Sequence, residues 1–181
     1  MSGHRSDVEL ERVGRLEALF AQHAGVVRAY ALRRIDPATA DDVVSEVFVV
    51  AFRRLQDIPD DALPWLLATA RRVLANHRRA AGRRAALTTQ LGAIQAPASR
   101  DEIAGERELL RALASLSDRD REVLLLVAWE ELDPVSAAVA VGCSRATFAV
   151  RLHRARRRLA AAIANSGRET ELTMRPTEVT R

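Results

Sequence analysis

Residues 134–159 read PVSAAVAVGCSRATFAVRLHRARRRL, and the three residues in the middle, Gly142-Cys143-Ser144, decide how the stretch is read. A short apolar helix over about 134–141 is predicted to stop at Gly142, where glycine permits a left-handed backbone. Ser144 is placed to cap a longer helix running to about Ala164. In that second helix Phe148, Leu152, Ala155 and Leu159 fall on one stripe. Arg145, Arg151, Arg154, Arg156, Arg157 and Arg158 lie off it. A short helix, a glycine turn and a longer helix with a basic face form a helix-turn-helix, with Ser144–Leu159 as the recognition helix for a DNA major groove. A solvated arginine face on an ordinary amphipathic helix is the competing reading.

Upstream, Leu109, Leu110, Leu113 and Leu116 mark one short helix from about Glu106. Ser117 caps the next, with Asp118 and Asp120 in its first turn and Val123, Leu124, Leu126 and Val127 on its apolar side, to about Glu131. With the helix-turn-helix these make a four-helix domain over 106–164. Residues 165–181 read as a polar, disordered tail.

Residues 85–105, with Gly92, Pro97 and Ser99, have weak periodicity. A structureless stretch this long is uncommon inside one domain, so it reads as a flexible linker between two. The first domain, 8–84, follows a loose tail at 1–7. Its opening helix runs from Val8 to about Arg34, with Leu10, Val13, Leu16, Leu19, Phe20, Val26, Val27 and Tyr30 on one face, and Asp36-Pro37 breaks it. Thr39 is the expected cap of a second helix over about 40–55, where Val43, Val44, Val47, Phe48, Ala51, Phe52 and Leu55 share a wide stripe. After the Asp57–Asp61 loop, a third helix from near Pro64 to Arg84 is apolar in its first half. It is basic in its second. The fold class is all-α: an N-terminal helical bundle and a C-terminal helix-turn-helix domain.

The 181 residues are 48% hydrophobic and only 4% aromatic, which suits Ala- and Leu-rich helices better than sandwiches or barrels. The net charge is +4, and all 28 basic residues are arginine. This fits a GC-rich genome, and it makes every cation a planar fork suited to phosphate and guanine. The single cysteine, Cys143, rules out an internal disulfide or a cysteine cluster, and a small packed side chain is its expected role. The four histidines show no ligand spacing. There is no nucleophile–base pair and no glycine-rich phosphate loop. Neither an enzyme nor a metal or other cofactor is expected. No apolar run approaches the length of a membrane span, so a cytoplasmic protein with no membrane insertion is expected.

From about Leu16 to Leu159 the chain resembles the extracytoplasmic-function (ECF) group of bacterial RNA polymerase sigma factors. Residues 112–159, ALASLSDRDREVLLLVAWEELDPVSAAVAVGCSRATFAVRLHRARRRL, are similar to the family's promoter −35-binding domain. Residues 41–55, DDVVSEVFVVAFRRL, resemble the helix that docks on the polymerase β′ clamp. Residues 64–84, PWLLATARRVLANHRRAAGRR, resemble the helix that reads the −10 element. The second half alone is also similar to LuxR-type regulators, and a self-sufficient regulator of that type is the alternative. It leaves the acidic 41–46 face and the basic 71–84 helix without a purpose.

The resemblance implies roles for particular residues. Asp42, Ser45 and Glu46 would bind polymerase. Trp65, Arg71, Arg72, Asn76, Arg78, Arg79 and Arg83 would serve the −10 element, with Asn76 offering its amide to a base edge and the arginines holding phosphates. For Trp65 a place in the core competes. A pocket near the 57–64 loop would receive a base taken out of the stack. Ser144, Arg145, Thr147, Arg151, His153, Arg154, Arg157 and Arg158 would serve the −35 element. Two departures stand out: Arg72 occupies a position where the family often has Asn, and Ala149 and Val150 occupy groove-reading positions. The implied partners are core RNA polymerase (β′ clamp and β flap), promoter DNA and an anti-sigma factor. The linker, with Asp101 and Glu102, would thread toward the polymerase active site.

Overall fold

A computed structural model describes the backbone of residues 3–87 and 104–173, and side chains over 9–83 and 108–165. The described residues are helical, as expected: α1 (Gly3–Leu32), α2 (Pro37–Arg53), α3 (Ala62–Leu87), α4 (Ala104–Ser115), α5 (Asp118–Ala128), α6 (Pro134–Val141) and α7 (Arg145–Thr173), with one 3-10 turn at Leu55–Asp57. The described part of the chain packs as two units. One holds α1, α2, α3 and residues 135–144; the other holds α4, α5 and α7.

In the first unit α1, α2 and α3 pack on one another. Val27, Tyr30, Val43, Val47, Leu66 and Leu67 are fully enclosed between them. The stripe expected on α2 is buried at Val43, Val44, Val47, Phe48 and Ala51, while Phe52 is 46% exposed. Its guanidinium neighbour Arg12 lies 5.6 Å from the ring centre. The stripe expected on α1 is buried only toward its end, and Leu10, Val13 and Phe20 are exposed. Phe20 meets Phe48 of α2 edge-on, ring centres 4.8 Å apart, and keeps its other side open to solvent.

The helix ends correct several expectations. Thr39 is not the cap of α2: Asp36 is, its carboxylate accepting from the Thr39 backbone N–H at 3.0 Å and from the Thr39 hydroxyl at 2.8 Å. Pro37 then takes the first helical position, where its fixed φ suits a helix and its missing N–H costs nothing. These bonds also hold the Asp36 carboxyl below its ordinary pKa. The expected cap at Ser117 is present, its hydroxyl accepting from the Asp120 N–H. α5 stops at Ala128, short of Glu131, which adopts a left-handed φ of +52°.

The segment 1–7 is not a loose tail throughout, because α1 already begins at Gly3. Likewise α7 continues past 164 to Thr173. Neither extension contains proline, and once a helix exists each further residue adds a hydrogen bond without a new nucleation cost. The linker's ends, 85–87 and 104–105, belong to α3 and α4. The rest of the linker, including Asp101 and Glu102, lies outside the described residues, as does 174–181. Residues 135–144, inside the stretch expected as one domain over 106–164, pack with the first unit. The Arg71 guanidinium gives one cause, donating to Ala140 O at 3.2 Å and Val141 O at 3.1 Å. These are last-turn carbonyls of α6, which no helical N–H satisfies and where the helix dipole favours a cation.

Candidate nucleic-acid interface

The α6 helix ends in a Schellman motif. The Gly142 N–H donates to Val139 O and the Cys143 N–H to Ala138 O, both at 3.0 Å. Gly142 has φ +71°. A Cβ there would lie 3.7 Å from Arg71 Nη2, an ordinary contact, so backbone conformation rather than space demands glycine. Cys143 is half-buried.

α7 packs against α4 and α5. Phe148, Leu152 and Ala155 are buried, as the periodicity predicts, and Leu159 is half-buried. The residues assigned to −35 binding, Ser144, Arg145, Thr147, Arg151, His153, Arg154, Arg157 and Arg158, are all exposed, as are Ala149 and Val150. Arg154, Arg157, Arg158 and Ala161 line an open cleft of about 390 Å³. A helix seated by one apolar stripe thus presents guanidinium forks to solvent, which is what holding phosphates needs.

Arg158 differs from the rest. Its Nη1 donates to Asp120 Oδ2 at 2.5 Å, and the Ser117 hydroxyl donates to the same oxygen at 2.8 Å. Burial pushes the Asp120 pKa up, but the bonds from Ser117 and Arg158 and the Arg158 charge outweigh it, so the net shift is downward. A depressed folded pKa contributes stability that is present above the unfolded value and lost as pH falls through the folded one. The second unit is therefore expected to lose stability as pH falls below about 4. Asp120→Asn should flatten that acid limb in thermal melts, and an unchanged limb would contradict the assignment. The i to i+38 pairing that makes Arg158 a strut between α5 and α7 leaves no trace in helical periodicity.

In α3 the second basic face is on the outside. Arg72, Asn76, Arg78, Arg79 and Arg83 are exposed, and Arg71, Trp65 and His77 are half-buried. Arg79 donates to Asn76 Oδ1 at 2.5 Å, which leaves the Asn76 amide NH₂ out of that bond. Arg78 donates to Arg34 O at 3.2 Å. Arg71 is committed to the α6 carbonyls, a function the sequence pattern did not reveal. Beside the start of α3, Ile58, Ala62 and Pro64 are buried while Asp60 and Asp61 are exposed. Arg15 donates to Ile58 O at 2.8 Å and anchors this loop to α1.

The acidic face of α2 is exposed at Asp42, Ser45 and Glu46, as expected. Ser45 donates back to Asp41 O, Asp41 pairs with Arg28 at 2.6 Å, and Glu46 faces His77 at 2.8 Å. Among the described residues there is no group of three or more His, Cys, Asp or Glu placed to hold a metal. No single helix among them is long and apolar enough to cross a membrane.

Comparison with known proteins agrees with this arrangement. Residues 19–84 match the Sigma-70 region 2 family and residues 106–159 match Sigma-70, region 4. The chain is 34% identical over 152 residues to the ECF RNA polymerase sigma factor SigL of Mycobacterium tuberculosis, covering 80% of this chain and 86% of that one. It is 31% identical over 128 residues to the RNA polymerase sigma-E factor of Streptomyces antibioticus, covering 68% and 70%. Among solved structures, the sigma factor RpoE of Bartonella quintana, in complex with the anti-sigma factor NepR, superimposes with a TM-score of 0.58 at 23% identity, covering 87% of this chain and 97% of that one. CnrH, in complex with the cytosolic domain of CnrY, gives 0.58 at 27% identity, covering 83% and 88%. With regions 2 and 4 in this order and a relative matched over most of its length, the chain belongs to the ECF family of RNA polymerase sigma factors.

Proposed function

We propose that the chain binds core RNA polymerase, brings it to promoters through two separate DNA contacts, and promotes opening of the −10 region. It supplies no catalytic group, and the polymerase carries out the chemistry. The observation that carries this reading is that two basic helices, α3 and α7, each expose arginines from a different unit, while α2 beside α3 exposes acids. A self-sufficient regulator of the LuxR type needs only one of these features, the basic recognition helix α7.

In this reading residues 8–84 act as the −10 and polymerase-binding domain and 106–164 as the −35-binding domain, as the region 2 and region 4 matches support. Arg145, Arg151, Arg154 and Arg157 clamp −35 phosphates, with Ser144, Thr147 and His153 alongside. Arg158 is shared between DNA and Asp120. Arg72, Asn76, Arg78, Arg79 and Arg83 follow the −10 strand beside Trp65. Arg71 takes part only when it leaves the α6 carbonyls. Asp42, Ser45 and Glu46 meet the β′ clamp, and the second domain meets the β flap. The protein works in the cytoplasm, where polymerase is, and an anti-sigma factor controls it; RpoE and CnrH are both seen with protein partners.

Free protein should bind promoters weakly, and polymerase should supply the spacing between the two DNA contacts. Run-off transcription with core polymerase on a genomic promoter pool tests this. Transcripts dependent on the added protein are expected. Their absence, or tight sequence-specific footprints from the free protein that core polymerase leaves unchanged, would sink the proposal.

A further inference from the structure

Of the three residues on the acidic α2 face, Glu46 is the one whose side chain reaches to α3. Its Oε1 lies 2.8 Å from His77 Nε2. A carboxylate oxygen can only accept, so Nε2 carries the ring proton whether His77 is neutral or charged. The histidine is the more enclosed partner, its side chain 24% exposed against 52% for Glu46. It sits one turn after the buried Val73 and Leu74 on the same helix face. His77 is thus the anchor, and Glu46 is the side chain being held. On α3 it lies between Asn76 and Arg78, within the segment that carries the exposed arginines.

We propose that His77 is a positioning residue for polymerase docking: it holds Glu46 in the rotamer that meets a cationic group on the polymerase, tying the docking face of α2 to the DNA-reading helix α3. The inference rests on the assignment of Glu46 to polymerase binding made above. A free glutamate side chain loses rotamer freedom when it is captured by a partner, and an internal hydrogen bond meets that cost before binding. One carboxylate oxygen faces His77, and the other stays available to accept from an arginine or lysine of the partner. Because the hold comes from α3, capture of Glu46 by polymerase is felt by the helix that faces the promoter.

The test is a double-mutant cycle on the full chain, with affinity for core polymerase as the readout. Glu46→Gln should weaken binding about ten-fold, as expected for a lost bond to a charged group. His77→Ala should weaken it about two- to five-fold, the range of a solvent-screened pair. His77→Gln, whose amide N–H can still reach Glu46, should restore most of that loss. E46A/H77A should bind no more weakly than E46A alone, because without an acceptor oxygen at position 46 there is nothing left to hold. Each free variant should stay folded at the assay temperature, its melting temperature lowered by no more than the few degrees that losing one solvent-screened pair gives, which separates positioning from folding. Additive losses, or H77Q behaving as H77A does, would overturn the role of His77 while leaving Glu46 in the interface. An E46Q chain that binds core polymerase as tightly as the unaltered chain would remove the docking assignment and this inference with it.

Discussion

Phe148→Ala should unfold much of the second unit, and with it abolish transcription from promoters that require a −35 element. Phe148 is fully enclosed and is the largest buried side chain on α7. Truncating a buried phenylalanine costs about 3–5 kcal/mol, part transfer free energy and part the cavity left behind. A small domain has a total stability near the low end of about 5–15 kcal/mol, so the loss takes most of what it has. The neighbouring stripe residues Leu152 and Ala155 cannot close the gap without moving α7 off α4 and α5. Urea melts followed by circular dichroism should show the transition of the second unit shifted far toward zero denaturant, with that of the first unit nearly in place. A change of less than about 1 kcal/mol would mean that the stripe does not seat the recognition helix.

The regular part of this fold was legible in the residues, because period and partner agree. On α7, and on α2 as far as Ala51, spacing and cover agree, so Val43, Val47, Phe148 and Leu152 are buried as their spacing requires. On α1 the stripe is covered only toward its C-terminal end. The spacing places Leu10 and Val13 on the apolar face, yet both are exposed, because periodicity names a face and not a neighbour that covers it. The glycine turn was legible for a local reason, since a positive φ at a helix end selects glycine from a single residue. The Asp36 cap is equally local: the Asp36-Pro37 pair that separates two helices also starts the second of them. Side-chain pairing was not legible. Arg71, Arg158 and Glu46 looked like free members of charged faces, but their partners are 69 and 70, 38, and 31 residues away in the chain. Helical periodicity says which face a charge occupies and nothing about what meets it there.

That distinction separates the arginines of α7 into two kinds and gives the second large effect. Arg151, Arg154 and Arg157 are exposed, and their guanidinium groups point into solvent or the cleft beside Arg158. Replacing all three with alanine should weaken −35-dependent promoter binding by the holoenzyme about 100-fold at moderate salt. The expected mechanism is loss of released counterions, so the slope of log affinity against log salt should fall by about 2–3. Folding of the second unit should be little changed, because exposed substitutions away from caps and ion pairs rarely exceed about 0.5 kcal/mol. Arg158→Ala is the informative contrast. Its guanidinium bonds Asp120, which is only 8% exposed, so its removal takes the charged partner from a mostly enclosed carboxylate and should lower stability more than it lowers the salt slope. Had all four been equivalent members of a solvated basic face, the triple variant and R158A would differ only in degree, on both readouts. If instead the triple variant melts early while its salt slope is unchanged, the arginines of α7 support the fold and the promoter contact lies elsewhere.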